Sequence, residues 1–218
     1  LKKIDNKIAF KLYESYGLPF EVIEEVGNAK AHDMSGLNKE GFDEEFKKHQ
    51  EKSRTASAGM FKGGLAGNSE VITRYHTATH LLNAALRKVL GAHVIQKGSN
   101  ITEERTRFDF SHPAKMTNKE KTEVEQLVNE WIARDLPVER KEMPLREARE
   151  LGAVGAFGEK YHDTVSVYTV SDPKTGEVIS REFCGGPHVT HTGEIGTFKI
   201  TKEEAVSAGV RRIKATIL

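Results

Sequence analysis

The stretch His76-Thr-Ala-Thr-His80 opens a longer segment, His76-Thr-Ala-Thr-His-Leu-Leu-Asn-Ala-Ala-Leu-Arg-Lys-Val-Leu90, which is central to the fold. Apolar residues recur in it at helical spacing, at Ala78, Leu81, Leu82, Ala85, Leu86 and Val89. This pattern predicts a helix from 76 to about 90, ended by Gly91. Since residues four apart lie one turn apart on the same helix face, both imidazoles are expected to point to one side.

A second pair with the same spacing follows about a hundred residues later, in the Gly-rich turn Cys184-Gly-Gly-Pro-His188. Neutral imidazole and thiolate suit Zn²⁺, and three His with one Cys match the ligand count of a tetrahedral site. The first pair alone is a weak signal, but the chain's only cysteine lies in the second. We therefore predict one Zn²⁺ per chain, held by His76, His80, Cys184 and His188. The alternative is ordinary histidines and an inert buried cysteine.

Composition restricts the class of protein. The 218 residues are 37% hydrophobic and 30% charged, with a formal net charge of +1. This predicts a polar, soluble protein without a membrane span, because no apolar run approaches about 20 residues. A single cysteine excludes an internal disulfide and favours a reducing, cytoplasmic location. The start, Leu1-Lys-Lys-Ile-Asp5, has neither an initiator methionine nor a signal peptide, so we expect a piece of a longer chain.

The first 70 residues differ in character from the rest. Apolar spacing predicts helices over 5–16, about 20–30 and 38–54. Residues 55–70 lack periodicity and contain four glycines, which is typical of a linker. We therefore predict two parts: a helical segment with its linker over 1–70, and a second domain over 71–218.

The second domain alternates strands with a few helices. Strand patterns lie at 93–99, 105–110, 137–143, 164–171, 178–184, 195–201 and 210–218. Thr117-Asn-Lys-Glu120 is a capping box that opens a helix to about 135, and a short helix is predicted over 144–151. Because strands outnumber crossover helices, we predict an α+β domain with a mixed, largely antiparallel sheet, packed helices and a zinc site.

The metal pattern excludes one reaction class and leaves others open. A zinc peptidase of the HExxH type needs a glutamate after the first histidine, where this chain has Thr77. The metal's role, structural or catalytic, stays open from the sequence. Hydrolysis here would need a water held by polar neutral groups such as Thr79, Gln96 or Ser99, with the metal as anchor or Lewis acid. That arrangement fits an activated ester better than an amide.

Several motifs occur together in the order of one known family. They are His76–Gly91, Gln96-Lys-Gly-Ser99, Arg107-Phe-Asp-Phe-Ser-His112, Phe157-Gly-Glu-Lys-Tyr161, Cys184-Gly-Gly-Pro-His-Val189, Gly209-Val-Arg-Arg-Ile213 and, in the helical part, Phe10–Pro19. With these motifs, the chain over about residues 71–218 closely resembles the editing domain of alanyl-tRNA synthetases, and residues 8–54 resemble the helical end of their tRNA-recognition domain.

The resemblance implies a function. It implies hydrolysis of mischarged Ser-tRNA(Ala) or Gly-tRNA(Ala), with the four residues above binding zinc and with Thr79, Gln96 and Ser99 lining the pocket. Such a second sieve is useful because an apolar synthetic pocket discriminates poorly between close analogues. The intact enzyme would ligate alanine to tRNA(Ala) with ATP, and its aminoacylation site would lie upstream of this sequence.

Two points of this assignment stay open. Pro187 stands where the family more often has threonine. The proline form resembles the Gly-Pro-His motif of the related threonyl enzymes. Proline also lacks the N–H donor that threonine would supply. Basic residues on predicted strands are expected to meet the phosphates of the tRNA(Ala) CCA end, although alternating charges are also common on a wet strand face. They are Arg105, Arg107, Arg211, Arg212 and Lys214.

Two alternatives to an alanyl editing domain are a zinc-stabilised RNA-binding module without hydrolysis and the editing domain of a threonyl-type or free-standing deacylase. The helical N-terminal part and the Cys-Gly-Gly sequence favour the alanyl enzyme over both.

Overall fold

A computed structural model of the chain describes residues 3–16, 18–57, 65, 67, 69–155 and 161–218. The chain divides into two compact units, Leu1–Gly59 and Met60–Leu218. Nine of the sixteen residues of the predicted linker (58–64, 66 and 68) and four of the five residues of the motif at 157–161 lie outside the described residues. Within the described ranges, no helix has the length and apolar character needed to cross a membrane.

The described residues of the first unit form three helices: α1 (Asn6–Tyr16), α2 (Phe20–Ala29) and α3 (Lys39–Ser57). Its small core is formed by Ala9, Phe20, Ile23 and Phe42. The loop before α3 is tied to α1, because the amide of Asn38 donates to the Asn6 side chain at 2.9 Å. The helices thus bury one apolar face each and leave charged faces to solvent.

The second unit is α+β. Its helices are α4 (Glu70–Leu90), α5 (Asn118–Ala133), α6 (Leu145–Glu150) and a 3₁₀ helix, Thr192–Ile195. Its strands are β1 (Gln96–Ile101), β2 (Thr106–Ser111), β3 (Val138–Pro144), β4 (Thr164–Ser171), β5 (Val178–Phe183), β6 (Phe198–Ser207) and β7 (Val210–Ile217).

The strands form two sheets rather than the single one expected from the sequence. One has the order β1-β2-β7-β6 and the other the order β3-β4-β5. Every pairing between these strands is antiparallel, which confirms the predicted antiparallel character. Both sheets show the same alternation in sequence, so the split arises from long-range pairing that periodicity does not reveal.

The main core lies between α4, α5 and the larger sheet. Phe108 and Phe110 point inward from β2, as their alternation predicted, and Trp131 packs from α5. The capping box predicted for α5 is confirmed: the Glu120 amide donates to the Thr117 hydroxyl, and the Thr117 amide donates to the Glu120 carboxylate. A smaller cluster, with Val165 and Val167, lies between the second sheet and α6.

Several element boundaries differ from the predictions. Helix α4 begins at Glu70, six residues before His76, because the Ser69 hydroxyl caps it by accepting the Ile72 amide. A 3₁₀ helix occupies the start of the predicted strand 195–201, and β6 then runs on to Ser207. Two register shifts in β6 break the alternation that would have signalled its length.

Candidate metal centre

Two elements of the second unit supply the four predicted ligands. Helix α4 presents His76 and His80 from one face, and the turn after β5 presents Cys184 and His188. One ligand atom from each residue lies within 4.8 Å of the others. Both histidines of α4 are buried, and the two turn residues are partly buried. The structure thus brings together side chains that are about a hundred residues apart.

The spacing of the ligand atoms fits a tetrahedral zinc ion. The Cys184 Sγ lies 3.3 Å from Nε2 of His76 and 3.4 Å from Nε2 of His188. With Zn–N of about 2.0–2.1 Å and Zn–S of about 2.3 Å, a tetrahedron places nitrogen and sulfur about 3.6 Å apart. These two separations are thus within a few tenths of an ångström of the tetrahedral value, and all four ligand atoms lie within 4.8 Å of one another.

The protonation states also suit a metal. Burial, reinforced by the neighbouring His80, lowers the pKa of His76 to about 3. Burial alone lowers the pKa of His80 to about 4, and burial with the other two rings lowers the pKa of His188 well below its usual value. At neutral pH the imidazoles are therefore neutral, the form in which they coordinate metals.

Two rings turn their second nitrogen away from the cluster onto a defined partner. Nδ1 of His76 lies 2.9 Å from the Pro187 carbonyl, and Nδ1 of His188 lies 3.0 Å from the Thr77 hydroxyl. Such contacts leave Nε2 of both rings for the metal. The Pro187 contact uses a backbone oxygen, so the unusual proline does not remove it.

A buried carboxylate lies behind the third ring. Glu182 Oε2 is 3.8 Å from Nδ1 of His80, and its Oε1 accepts from Asn83 at 3.0 Å and Ser180 at 3.2 Å. Burial raises the pKa of Glu182 to about 7, against the opposing effect of these two donors. With His80 neutral, the contact is not an ion pair. The sequence analysis did not single out Glu182. A signal was present, because Glu182 lies two residues before Cys184 at the end of a strand, and residues two apart in a strand point to the same face.

Close packing surrounds the turn that carries Cys184 and His188. A side chain at Gly186 would place its Cβ 2.7 Å from Cε1 of His76, so only glycine permits this approach. The ring of Tyr168, on β4, lies 4.1 Å from the ring of His188. Tyr168 is half-buried and was not singled out in the sequence. These contacts fix the turn against α4 and β4.

The three predicted pocket residues occupy two different environments. Thr79 is buried, its hydroxyl donates to the Tyr75 carbonyl at 2.8 Å, and it lies 2.8 Å from the Thr106 hydroxyl. Gln96 and Ser99 are partly exposed on β1, and the Gln96 amide approaches the Ser99 hydroxyl at 3.5 Å. The Thr79 hydroxyl thus joins α4 to β2, whereas the other two groups are accessible.

The predicted RNA-binding residues divide between the two faces of the larger sheet. In register, Arg107 pairs with Lys214, and Asp109 pairs with Arg212, so these side chains share the face opposite Phe108. Arg212 binds Asp109 with both nitrogens, at 2.7 and 2.8 Å. Lys214 lies 3.0 Å from Glu204.

Two further arginines differ from this set. Arg211 lies on the other face of β7 and pairs with Glu203, and only 13% of its side chain is exposed. Arg105 binds the Asn100 side chain at 3.2 Å, close to the exposed face. Arg107 retains a buried Nε without a hydrogen-bond partner among the described residues. The exposed face therefore contains more cationic groups than carboxylates.

Comparison with known proteins finds relatives along the whole chain. A family described as "Threonyl and Alanyl tRNA synthetase second additional domain" matches residues 165–214, which include β5 and the Cys184–His188 turn. An alanine–tRNA ligase of Treponema denticola is 58% identical over 218 residues, covering 99% of this chain and 34% of that protein. One from Borrelia hermsii is 53% identical over 217 residues, covering 100% of this chain and 35% of that protein.

A third relative matches over a shorter stretch. An alanine–tRNA ligase of Thermus thermophilus is 56% identical over 142 residues, covering 65% of this chain and 16% of that protein. The chain spans 34–35% of the length of the Treponema and Borrelia relatives. These identities confirm the resemblance noted in the sequence, and the chain belongs to the alanine–tRNA ligase family.

Proposed function

We propose that this chain is the editing part of an alanine–tRNA ligase, which hydrolyses the ester of mischarged Ser-tRNA(Ala) or Gly-tRNA(Ala) at a zinc-anchored site. The observation that carries the proposal is the convergence of His76, His80, Cys184 and His188 within 4.8 Å. It occurs in a chain whose relatives are named alanine–tRNA ligases. The matched family supports the editing region through its description as an additional domain of synthetases.

The four side chains would hold zinc as a closed set. Three neutral imidazoles and one thiolate fill a tetrahedral shell, the arrangement typical of structural zinc. Bound there, the ion would supply a fixed positive charge and a cross-link between α4 and the turn after β5. The contacts of Nδ1 of His76 with Pro187 and of Nδ1 of His188 with Thr77 support this role, because they leave Nε2 of each ring toward the cluster.

Accessible polar groups on β1 would then handle the ester. Gln96 and Ser99 carry an amide and a hydroxyl on neighbouring, partly exposed positions. Both groups donate and accept hydrogen bonds, so they can orient a water and a substrate hydroxyl at neutral pH. Thr79 would shape the pocket, because its hydroxyl already donates to the Tyr75 carbonyl. An ester is a suitable substrate because its alkoxide leaves more readily than an amide nitrogen.

The exposed face of the larger sheet would bind the tRNA(Ala) acceptor end. Arg107, Arg212 and Lys214 share this face, and Arg105 lies beside it. Phosphate contacts of this kind position a nucleic acid without reading its sequence. Arg211 would not belong to this surface, because it lies on the opposite face of β7 and pairs with Glu203. In the intact enzyme, residues 1–70 would end the tRNA-recognition domain, and another part of the chain would ligate alanine using ATP.

A deacylation assay tests the proposal. Labelled Ser-tRNA(Ala) is incubated with the wild-type chain, Cys184→Ala and Gln96→Ala, with Ala-tRNA(Ala) as the control substrate. We expect the wild type to release serine faster than spontaneous hydrolysis, both variants to lose this activity, and Ala-tRNA(Ala) to stay intact. Wild-type protein that binds zinc but releases no serine would overturn the proposed hydrolysis and leave a zinc-stabilised RNA-binding module.

One observation favours a second candidate, a threonyl-type or free-standing deacylase. The turn ends in Gly186-Pro187-His188, which resembles the threonyl motif, and the matched family includes threonyl enzymes. The two readings differ in the tRNA body, so Ser-tRNA(Thr) is added to the assay. Preferential deacylation of Ser-tRNA(Thr) over Ser-tRNA(Ala) would favour this candidate. The extent and identity of the alanine–tRNA ligase matches favour the first.

A further inference from the structure

Thr77 lies between the two α4 ligands but has its own set of contacts. It is fully buried, and its hydroxyl oxygen lies 3.3 Å from the Thr73 carbonyl, 3.2 Å from the Val189 amide and 3.0 Å from Nδ1 of His188. From this geometry we infer that Thr77 is a positioning residue of the metal centre, which fixes the ring of His188. The inference rests on the zinc site of the proposed function.

The hydrogen-bond capacity of one hydroxyl determines the tautomer of His188. A threonine hydroxyl has one proton and two lone pairs. The Thr73 carbonyl can only accept, so it takes the proton. The Val189 amide can only donate, so it uses one lone pair. The remaining lone pair then faces Nδ1 of His188, and we assign the ring proton to that nitrogen.

This tautomer leaves Nε2 of His188 with a free lone pair. Nε2 is the nitrogen that lies 3.4 Å from the Cys184 sulfur, on the cluster side of the ring. With the proton on Nε2 instead, the ring would present a donor to the ion and could not bind it. Because the same oxygen also accepts the Val189 amide, one hydroxyl fixes both the ring and the backbone of the ligand turn against α4.

A residue that hydrogen-bonds a metal-bound histidine influences the affinity for the metal without binding the metal itself. Removing a hydrogen-bond partner of a metal-bound histidine typically costs about 10- to 100-fold in affinity. We therefore expect the apparent zinc dissociation constant of Thr77→Val to rise by about that factor. Thr77→Ser keeps the hydroxyl and should bind zinc as the wild type does. Affinity is measured by competition with a chromophoric chelator, using the full chain.

Thr192 provides a matched control. It is also fully buried, its hydroxyl donates to the Trp131 carbonyl, and it accepts the Leu136 amide, but it contacts no cluster histidine. Thr192→Val removes an equivalent buried hydroxyl and should leave zinc affinity unchanged. Equal affinity of Thr77→Val and wild type would overturn the inference. So would an equal loss in Thr192→Val, because the effect would then reflect packing in general.

A second measurement needs no variant. Long-range ¹H–¹⁵N correlation of the zinc-loaded wild type should show His188 protonated at Nδ1 and coordinated through Nε2. Coordination through Nδ1 would overturn the inference even if zinc binds. A wild type that binds no zinc would instead overturn the metal site of the proposed function, and the role of Thr77 with it.

Discussion

Sγ of Cys184 lies 3.3 Å from Nε2 of His76, although the two residues are 108 positions apart in the chain. One belongs to α4 and the other follows β5, so this contact joins a helix of the larger core to the end of the smaller sheet. Helix α4 holds the imidazoles of His76 and His80 one turn apart. The Gly-rich turn after β5 brings Cys184 and His188 against them.

Gly186→Ala should weaken zinc binding, whereas Gly185→Ala should not. A Cβ at position 186 would lie 2.7 Å from Cε1 of His76, whereas one at position 185 meets nothing within 4 Å. Overpacking of this kind typically costs about 1–3 kcal/mol, here partly through displacement of a ligand ring. Zinc competition and thermal unfolding of both variants test this. Equal zinc affinities in the two variants would contradict the close approach.

Pro187→Ala should retain zinc. The contact from this residue to Nδ1 of His76 uses the backbone carbonyl, which every residue possesses. The unfolded chain gains conformational freedom without proline, so stability is expected to fall by about 0.4–1 kcal/mol. Chelator competition and urea unfolding measure the two effects separately. A large loss of zinc affinity without loss of folding would show that the proline ring itself orients the site.

Arg107→Ala should weaken tRNA binding. This side chain lies on the exposed face of the larger sheet and is 31% exposed, with its Nε 3.8 Å from the Asp109 carboxylate. Loss of one phosphate contact should reduce the slope of log affinity against log salt by about 1. Arg146→Ala is the control, since Arg146 lies on α6 and its side chain is 91% exposed. An unchanged salt slope in Arg107→Ala would place the RNA elsewhere.

The metal-free protein should lose stability as the pH falls from about 7 to about 4. Burial holds the pKa of His76 at about 3 and of His80 at about 4, whereas unfolded histidine titrates near 6.5. Below about pH 6.5 the histidines of the unfolded state therefore bind protons that those of the native state do not, and this favours unfolding. Glu182, whose pKa is raised to about 7, acts in the opposite direction: its contribution is lost as the pH rises through that value.

Three histidines outweigh this single carboxyl, so the net effect of acid is destabilising. The urea midpoint of chelator-treated protein, followed against pH, measures it. His80→Gln should flatten the dependence, and His191→Gln, at an exposed histidine, should not. A wild-type midpoint that rises on acidification would contradict the buried, neutral imidazoles.

The four candidate metal ligands could be predicted because each pair comes from a short stretch of sequence. A helical repeat places His76 and His80 together, and a single glycine turn places Cys184 near His188, so only their meeting had to be assumed. The capping box at Thr117 and Glu120 was equally local and is present. Chemistry that depends on spacing of three or four residues can thus be predicted from sequence.

Other features depend on contacts between distant residues. Thr106 pairs with Ala215 in one sheet, while Val138 pairs with Val170 in another, and no local pattern separates the two sheets. The role of Thr77 has the same origin. In the sequence it marked only the absence of a peptidase glutamate, whereas its hydroxyl in the fold meets a ligand 111 positions away.

X-ray absorption at the zinc edge of the purified wild-type chain would show the metal and its ligands together. We expect one zinc per chain with three nitrogen neighbours at about 2.0–2.1 Å and one sulfur at about 2.3 Å. Cys184→Ser should lose the sulfur contribution. A protein without zinc, or a zinc shell without sulfur, would contradict this prediction.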